Sequence, residues 1–300
     1  MFRNSWIGNA IITLSAASAG VILLAVFIIM TNITVGGWEV LSWEFLAGVP
    51  TEGMTAGGIF PAIVGTFYLV LIMSMVGVPV GAITAVYLSE YAGDQSKLAR
   101  LIRFAVNTLA GVPAIVFGLF GLGFFIQFVG KGMDQAFGDG LHLKWGQPNI
   151  LWASLTMALL TLPVVIVSVE EAIKSVPREM REASLALGAT KWETIRSVVI
   201  PGSFTGILTG AILAVSRGAG EVAPILFTGA AYFLPQLPNS FSDQFMELGY
   251  HVYIMATQSP DVDATRGIQY ATTLVLLLLT FVLNFSAIFL RYRVRKKWAH

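Results

Sequence analysis

The chain has 300 residues, 56% of them hydrophobic and 12% charged, with a formal net charge of +1. A soluble domain carries about twice that share of charge, so the composition excludes a soluble globular protein and indicates several membrane spans. With no cysteine there is no disulfide, thiolate nucleophile or cysteine metal site. The three histidines, His142, His251 and His300, are scattered and form no ligand pair. GxxxxGK[ST], HExxH and GxSxG are all absent, so none of the chemistries those motifs carry is expected.

A membrane-crossing helix needs about 20 mostly apolar residues. Six stretches qualify: Ile7–Met30, Ile63–Val86, Phe104–Val129, Ile150–Val169, Phe204–Tyr232 and Tyr270–Leu290. The first follows Arg3 and contains the small-residue run SAASAG, as a secretory leader would. Its apolar run is longer than the roughly 7–15 residues of a leader core, so it is expected to stay as a span. The next segment, GGWEVLSWEFLAGVP, places Trp38 and Trp43 where aromatics favour the membrane interface, and reads as a short interfacial helix. Gly77 and Gly81 in the second span, and Gly202, Gly206 and Gly210 in the fifth, form G-x-x-x-G stripes. Such stripes let helices meet backbone to backbone, within this chain or with a second one.

Between the second and third spans lie Lys97, Arg100 and Arg103 with Glu90 and Asp94, read as topology anchors. Between the fourth and fifth the apolar pattern breaks for EMREASLALGATKWETIRSVVIP, residues 179–201. Pro177 suits the first turn of a helix, where its missing N–H is harmless. Met180, Ala183, Ser184 and Leu187 then form one stripe, with Arg178, Glu179, Arg181 and Glu182 on the other sides. Gly188 ends this helix, since glycine accepts the left-handed conformation a C-cap needs. Thr190 and Glu193 spell a capping box that starts a second helix, and Pro201 marks a helix entry or bend. The segment is expected to be two short helices about a tight corner. It is either a solvated connector or a stiff knob gripped by another protein.

Arg217 sits near the middle of the fifth apolar stretch, with Glu221 four residues on and able to pair with it. A charge at the bilayer centre costs ~2.5–3.5 kcal/mol on insertion scales, so such a residue faces protein or a watery path. Either the two neutralise each other structurally, or Arg217 lends positive potential to an oxyanion path with Glu221 as its positioning or gating partner. The planar guanidinium fork matches phosphate oxygens in a way lysine does not. Beyond these two, the spans offer no nucleophile–base pair or carboxylate cluster for a membrane-embedded enzyme. In the following loop SDQFMELGYHVYIMA has a helical pattern, with aromatics suited to the membrane surface. The tail from Arg291 to Lys297 holds five basic residues and reads as an anchor to anionic lipid.

If both termini are cytoplasmic, fourteen of the eighteen Lys and Arg fall on inner segments and only Lys131, Lys144 and Arg266 on outer ones. That asymmetry predicts both ends inside, an even number of spans, and the segment 179–201 facing the cytoplasm.

Glu182-Ala183-Ser184, three residues, Gly188, nine residues and Val198-Val199-Ile200-Pro201 resemble the cytoplasmic signature of ABC-importer permeases, E-A-A, three residues, G, nine residues, I-x-L-P. Ser184, Val198 and Ile200 are mild departures. The resemblance extends over nearly the whole chain. GGIFPAIVGTFYLV (57–70), YLSEYA (87–92), LAGVPAIVFGLFGL (109–122), SRGAGEVAPILFTGAA (216–231) and LGYHVYIMATQS (248–259) are similar to the phosphate-specific importer permeases. The long outer loop before the last span and the arginine-rich tail favour the PstA type over its PstC partner. Ala114 departs from the family, which often has serine after GVP, and weakens any contact that hydroxyl makes with the anion.

The resemblance implies a single all-α permease domain over 1–300, of type I importer fold, with a cytoplasmic coupling loop over about 170–201. It implies that Glu182, Ala183, Ser184, Leu187, Gly188, Ala189 and Thr190 contact an ATPase, and that Arg217 and Glu221 belong to the substrate path. The implied function is to form half of an inward pathway for inorganic phosphate in the bacterial inner membrane. ATP and Mg are then ligands of a partner ATPase, and this chain carries no cofactor. The implied partners are a PstC-type second permease, a PstB-type ATPase dimer, a PstS-type periplasmic binding protein and the lipid bilayer, with no nucleic acid. The rival readings are a permease for another oxyanion such as sulfate or molybdate, a membrane enzyme, and a passive channel.

Overall fold

The computed structural model describes residues 6–93, 95–137, 143–259 and 261–298. Arg3, Asp94, His142 and His300, all used above, lie outside the described residues. Helices dominate: α1 (Trp6–Trp38), α2 (Trp43–Ala47), α3 (Phe60–Val86), α4 (Lys97–Ala110), α5 (Ala114–Phe120), α6 (Lys131–Phe137), α7 (Ile150–Lys174), α8 (Arg178–Ala186), α9 (Lys191–Thr194), α10 (Ile200–Gly218), α11 (Leu248–Thr257) and α12 (Val262–Trp298). A hairpin of β1 (Pro50–Thr51) and β2 (Ala56–Gly57) follows α2, the expected interfacial helix. Six described helical stretches are long and apolar enough to cross a membrane: Gly8–Trp38, Phe60–Tyr91, Ala114–Phe137, Ile150–Lys174, Lys191–Gly218 and Val262–Arg293.

Lipid tails are as apolar as leucine, so these helices cannot be driven together by hydrophobicity and must pack closely instead. The glycine stripes do this, and both converge on α7. A Cβ at Gly81 would stand 2.6 Å from Val165 Cγ1, and one at Gly206 would stand 2.2 Å from Ala172 Cβ. Gly202 and Gly210 meet Val176 and Ser168 in the same way, and Gly77 meets Ala158. The stripes are therefore seams within this chain. α7 becomes the central post, with Met157, Val165, Ile166, Val169 and Ile173 fully enclosed. α1, by contrast, is exposed along its length and rests on α12, where Gly36 and Gly37 abut Tyr270 and Ala271.

Two expected spans need correction. The stretch Phe104–Val129 is not one helix. Its first part belongs to α4, which ends at Gly111, and the crossing segment begins only at Ala114. Gly111 caps α4, and Pro113, which lacks a backbone donor and is extended at ψ 139°, is the N-cap of α5, so the helix is broken between them. The fifth span, expected over Phe204–Tyr232, starts earlier and stops at Gly218. Pro201 does not break it. A π-turn over Ile195–Val199 precedes the proline and takes up the register change that a residue without N–H forces.

Candidate functional site

The segment after α7 folds as the two-helix corner read from sequence. α8 ends in a Schellman motif: Gly188 N–H donates to Leu185 O at 3.0 Å and Ala189 N–H to Ser184 O at 3.2 Å. Gly188 has φ +88°, and open space surrounds the place a Cβ would take. Glycine is needed there for its backbone, not for room. Thr190 then caps α9. Glu193 N–H donates to Thr190 Oγ1 at 3.3 Å, and Thr190 N–H donates back to Glu193 Oε2 at 2.7 Å. A 2.9 Å hydrogen bond between the hydroxyls of Ser184 and Thr194 ties the two helices across the corner.

The corner is anchored as well as stiff. Arg181 donates to Glu90 Oε1 at 3.0 Å and to Ile173 O at 2.7 Å, near the end of α7. It thus joins α8 to the π-turn Tyr87–Tyr91 that extends α3 and to the central post. Arg103, on α4, pairs with Glu170 and donates to Leu88 O at 3.1 Å, while Lys174 Nζ is 2.8 Å from Glu170 Oε1. The outward face is bare. No side chain of α8 is buried, and Leu187 at the tip is 90% exposed. Glu182, Ala183, Leu187, Gly188 and Thr190 lie on this open surface, while Ser184 and Ala189 are half-buried against the corner.

Sequence reading assigned Glu90 and Arg103 to a separate loop and did not name Glu170. These pairs join residues 67 and 91 positions apart in the chain. The available signal was Glu170 four residues before Lys174 at the end of an apolar run.

Arg217 and Glu221 do come together, but loosely. Arg217 Nε lies 3.7 Å from Glu221 Oε1, and the two side chains are 48% and 29% exposed. Arg217 is in the last turn of α10, not in the middle of a helix, and Glu221 is beyond its end. A cation there suits the negative end of the helix dipole. Gly218 packs on Met73 and Met157. Met157 is seven residues into α7, about 10 Å from its Ile150 end at ~1.5 Å per residue. The pair therefore lies at membrane depth.

From Ala219 to Ala231 the chain is irregular. It is folded over its own protein: Ile225 and Thr228 are fully buried, and Thr228 O accepts from Asn149 N–H at 3.0 Å. Non-helical backbone at this depth is tolerated only where it is buried in protein or lines a water-filled cavity. Ala114, the departure noted above, opens α5, and Gly118 of that helix abuts the carbonyls of Ala223 and Pro224.

A second buried cluster went unread in the sequence. Glu247 caps α11, accepting from Gly249 N–H at 2.9 Å and Tyr250 N–H at 2.6 Å, and Leu248 N–H donates to Thr66 Oγ1 on α3 at 3.0 Å. Burial pushes the Glu247 carboxyl up to about 7, against those hydrogen bonds, and pushes the His251 imidazole down to about 4. Among the described residues no group of three or more His, Cys, Asp or Glu is arranged to hold a metal ion.

The family described as binding-protein-dependent transport system inner membrane component matches residues 77–299. The probable ABC transporter permease protein YqgI of Bacillus subtilis is 32% identical over 95% of this chain and 94% of its own length. The phosphate transport system permease protein PstA 1 of Mycobacterium tuberculosis is 33% identical over 87% of this chain and 78% of its own. A bacterial alginate ABC transporter, solved with an alginate pentasaccharide-bound periplasmic protein, shares the fold, with a TM-score of 0.67 at 14% identity over 94% of each chain. The chain belongs to the inner membrane components of binding-protein-dependent transport systems, and among these ABC permeases it is of the PstA type.

Proposed function

We propose that this chain, acting as one permease domain over 1–300, is a transmembrane subunit of an ATP-driven importer of inorganic phosphate. It forms half of the pathway beside a PstC-type permease. It is driven by a PstB-type ATPase dimer that holds the ATP and Mg, and is loaded by a PstS-type binding protein. The corner over Glu182–Thr190 faces the cytoplasm, as do both termini. ATP closes the ATPase pair, the corner follows, and α3 and α7 rotate until the path opens outward. Hydrolysis reverses the motion.

The observation that carries this reading is the contrast between a bare, stiff corner and a half-exposed Arg217 at membrane depth. The corner leaves Leu187 uncovered by its own chain, which suits docking to a partner. The half-exposed Arg217 suits an aqueous path that a second permease would complete, and the phosphate transport permeases among the relatives support phosphate as the cargo. A path must release what it binds, so one attenuated arginine suits transport better than a cluster.

Phosphate uptake by reconstituted complexes carrying Arg217→Gln, with ATP hydrolysis followed in parallel, tests the path role. Uptake is expected to fall at least tenfold while hydrolysis persists; loss of assembly instead makes the pair a structural one. Competition by sulfate and molybdate against labelled phosphate separates the oxyanion alternatives.

A further inference from the structure

A recess of about 950 Å³ opens at the positive end of the bundle. Its walls are the π-turn Tyr87–Tyr91, the start of α4, the end of α7 and the start of α8. Arg100, Arg103, Lys174, Arg178 and Arg181 line it, against Glu90 and Glu182, with Glu170 paired to the lining cations Arg103 and Lys174. These cations are not equivalent. Arg103 and Lys174 are held by Glu170, and Arg181 by Glu90. Arg100, on α4, and Arg178, on α8, have no carboxylate within 4.0 Å among the described residues. Topology anchoring explains positive charge on this side of the membrane, but not two guanidiniums lining one hollow with no carboxylate partner among the described residues.

We infer that this recess binds a phosphate-type anion, either an anionic lipid head group or free inorganic phosphate. Two guanidinium forks suit several phosphate oxygens at once. Neutral donors lie beside them. Ser89 Oγ is buried and has no hydrogen-bond partner. Ser96 Oγ accepts from Ala99 N–H at 3.2 Å and gives its own proton to no acceptor among the described residues. Ser96 also opens the fourteen-residue α4, so the positive end of that helix faces the recess. The recess lies at the ends of two spans, the level at which head groups lie. The Glu182 carboxylate opposes an anion, yet the lining stays positive. The inference does not depend on the transport reading, since the charges and the hollow carry it. Because Arg178 and Arg181 belong to α8, a bound head group would hold the corner to the membrane.

The test uses the assembled complex in nanodiscs. In one arm the discs are neutral phosphatidylcholine, the chain carries Arg217→Gln to remove path binding, and labelled inorganic phosphate is titrated in. In the other, phosphatidylglycerol is added and the lipid retained is counted by native mass spectrometry. Arg100→Gln with Arg178→Gln is expected to weaken binding at least tenfold in one arm, and that arm identifies the source. Lys97→Gln, outside the recess, is expected to stay within twofold. If the double variant fails to assemble, Arg100→Gln alone is read, with about a threefold loss expected. Wild-type-like binding of both probes by the arginine variants, or an equal loss with Lys97→Gln, overturns the inference.

Discussion

The two ends of α7 are held by different kinds of contact. At the Lys174 end, charged side chains bind it to α3, α4 and α8: Glu170 takes Arg103 and Lys174, and Arg181 grips the Ile173 carbonyl and Glu90 together. At the Ile150 end the neighbours are backbone. Asn149 N–H reaches Thr228 O, Ile150 N–H reaches Asp243 O, and the Arg217–Glu221 ion pair is long and half-exposed. A part that transmits force needs its joints over-determined; a part that passes an ion needs charges that change partners at little cost. Between the two ends, glycine seams set how closely α3 and α10 follow the post.

The largest effect that breaks this picture is expected at the seam. Gly206→Leu drives a side chain into Ala172 and is expected to cost about 3 kcal/mol or more, beyond ordinary overpacking. The yield of folded chain and its thermal midpoint check it. Next comes a paired comparison of the two charged sites. Glu170→Ala removes the carboxylate of two cations and is expected to cost on the order of 2 kcal/mol, below the figure for a fully buried pair because Arg103 is partly exposed. Glu221→Gln, at the looser pair, is expected to change stability by less than about 1 kcal/mol. Equal destabilisation by the two would erase the contrast. Gly188→Ala forces a left-handed non-glycine residue and is expected to cost about 1 kcal/mol, with Thr190→Ala similar through its lost cap. Both are expected to slow uptake relative to hydrolysis.

The smallest effect in the wild-type chain is its net pH slope, set away from both sites. Glu247, with its carboxyl raised from 4.5 to about 7, keeps a proton in the folded state that the unfolded chain loses, so its contribution fades as pH rises through that window. His251, lowered from 6.5 to about 4, is neutral when folded, so its contribution is lost as pH falls through 6.5 toward 4. The two slopes oppose each other between about pH 4.5 and 6.5 and leave wild-type stability nearly flat. Glu247→Gln leaves His251 alone, and the melting midpoint is then expected to drop as pH is lowered from 6.5 to 4.

The corner was legible in the sequence because its chemistry is local. Gly188 and the Thr190–Glu193 box each act within a few residues, and the structure has both. The six spans were legible by apolar length, and the partner helix of each glycine stripe was not, since spacing names no neighbour. The errors fall where hydropathy cannot see backbone geometry. Phe104–Ala110 is apolar enough to seem part of a span, yet Pro113 detaches it. Ala219–Tyr232 is apolar but folds back without a helix, which moved Arg217 from mid-helix to a helix end. The anchoring pairs of Glu90 and Glu170 depend on distant positions and carry no local signature.

The central claim is that the corner hands a partner's work to the spans, and the cysteine-free chain allows a direct measurement. Leu187→Cys gives a single thiol at the exposed tip. Crosslinking in the assembled complex is predicted to join it to the ATP-hydrolysing subunit, with a yield that changes between ATP-bound and nucleotide-free states. A thiol labelled from outside intact cells by an impermeant reagent, or crosslinks that never reach that subunit, would contradict the account.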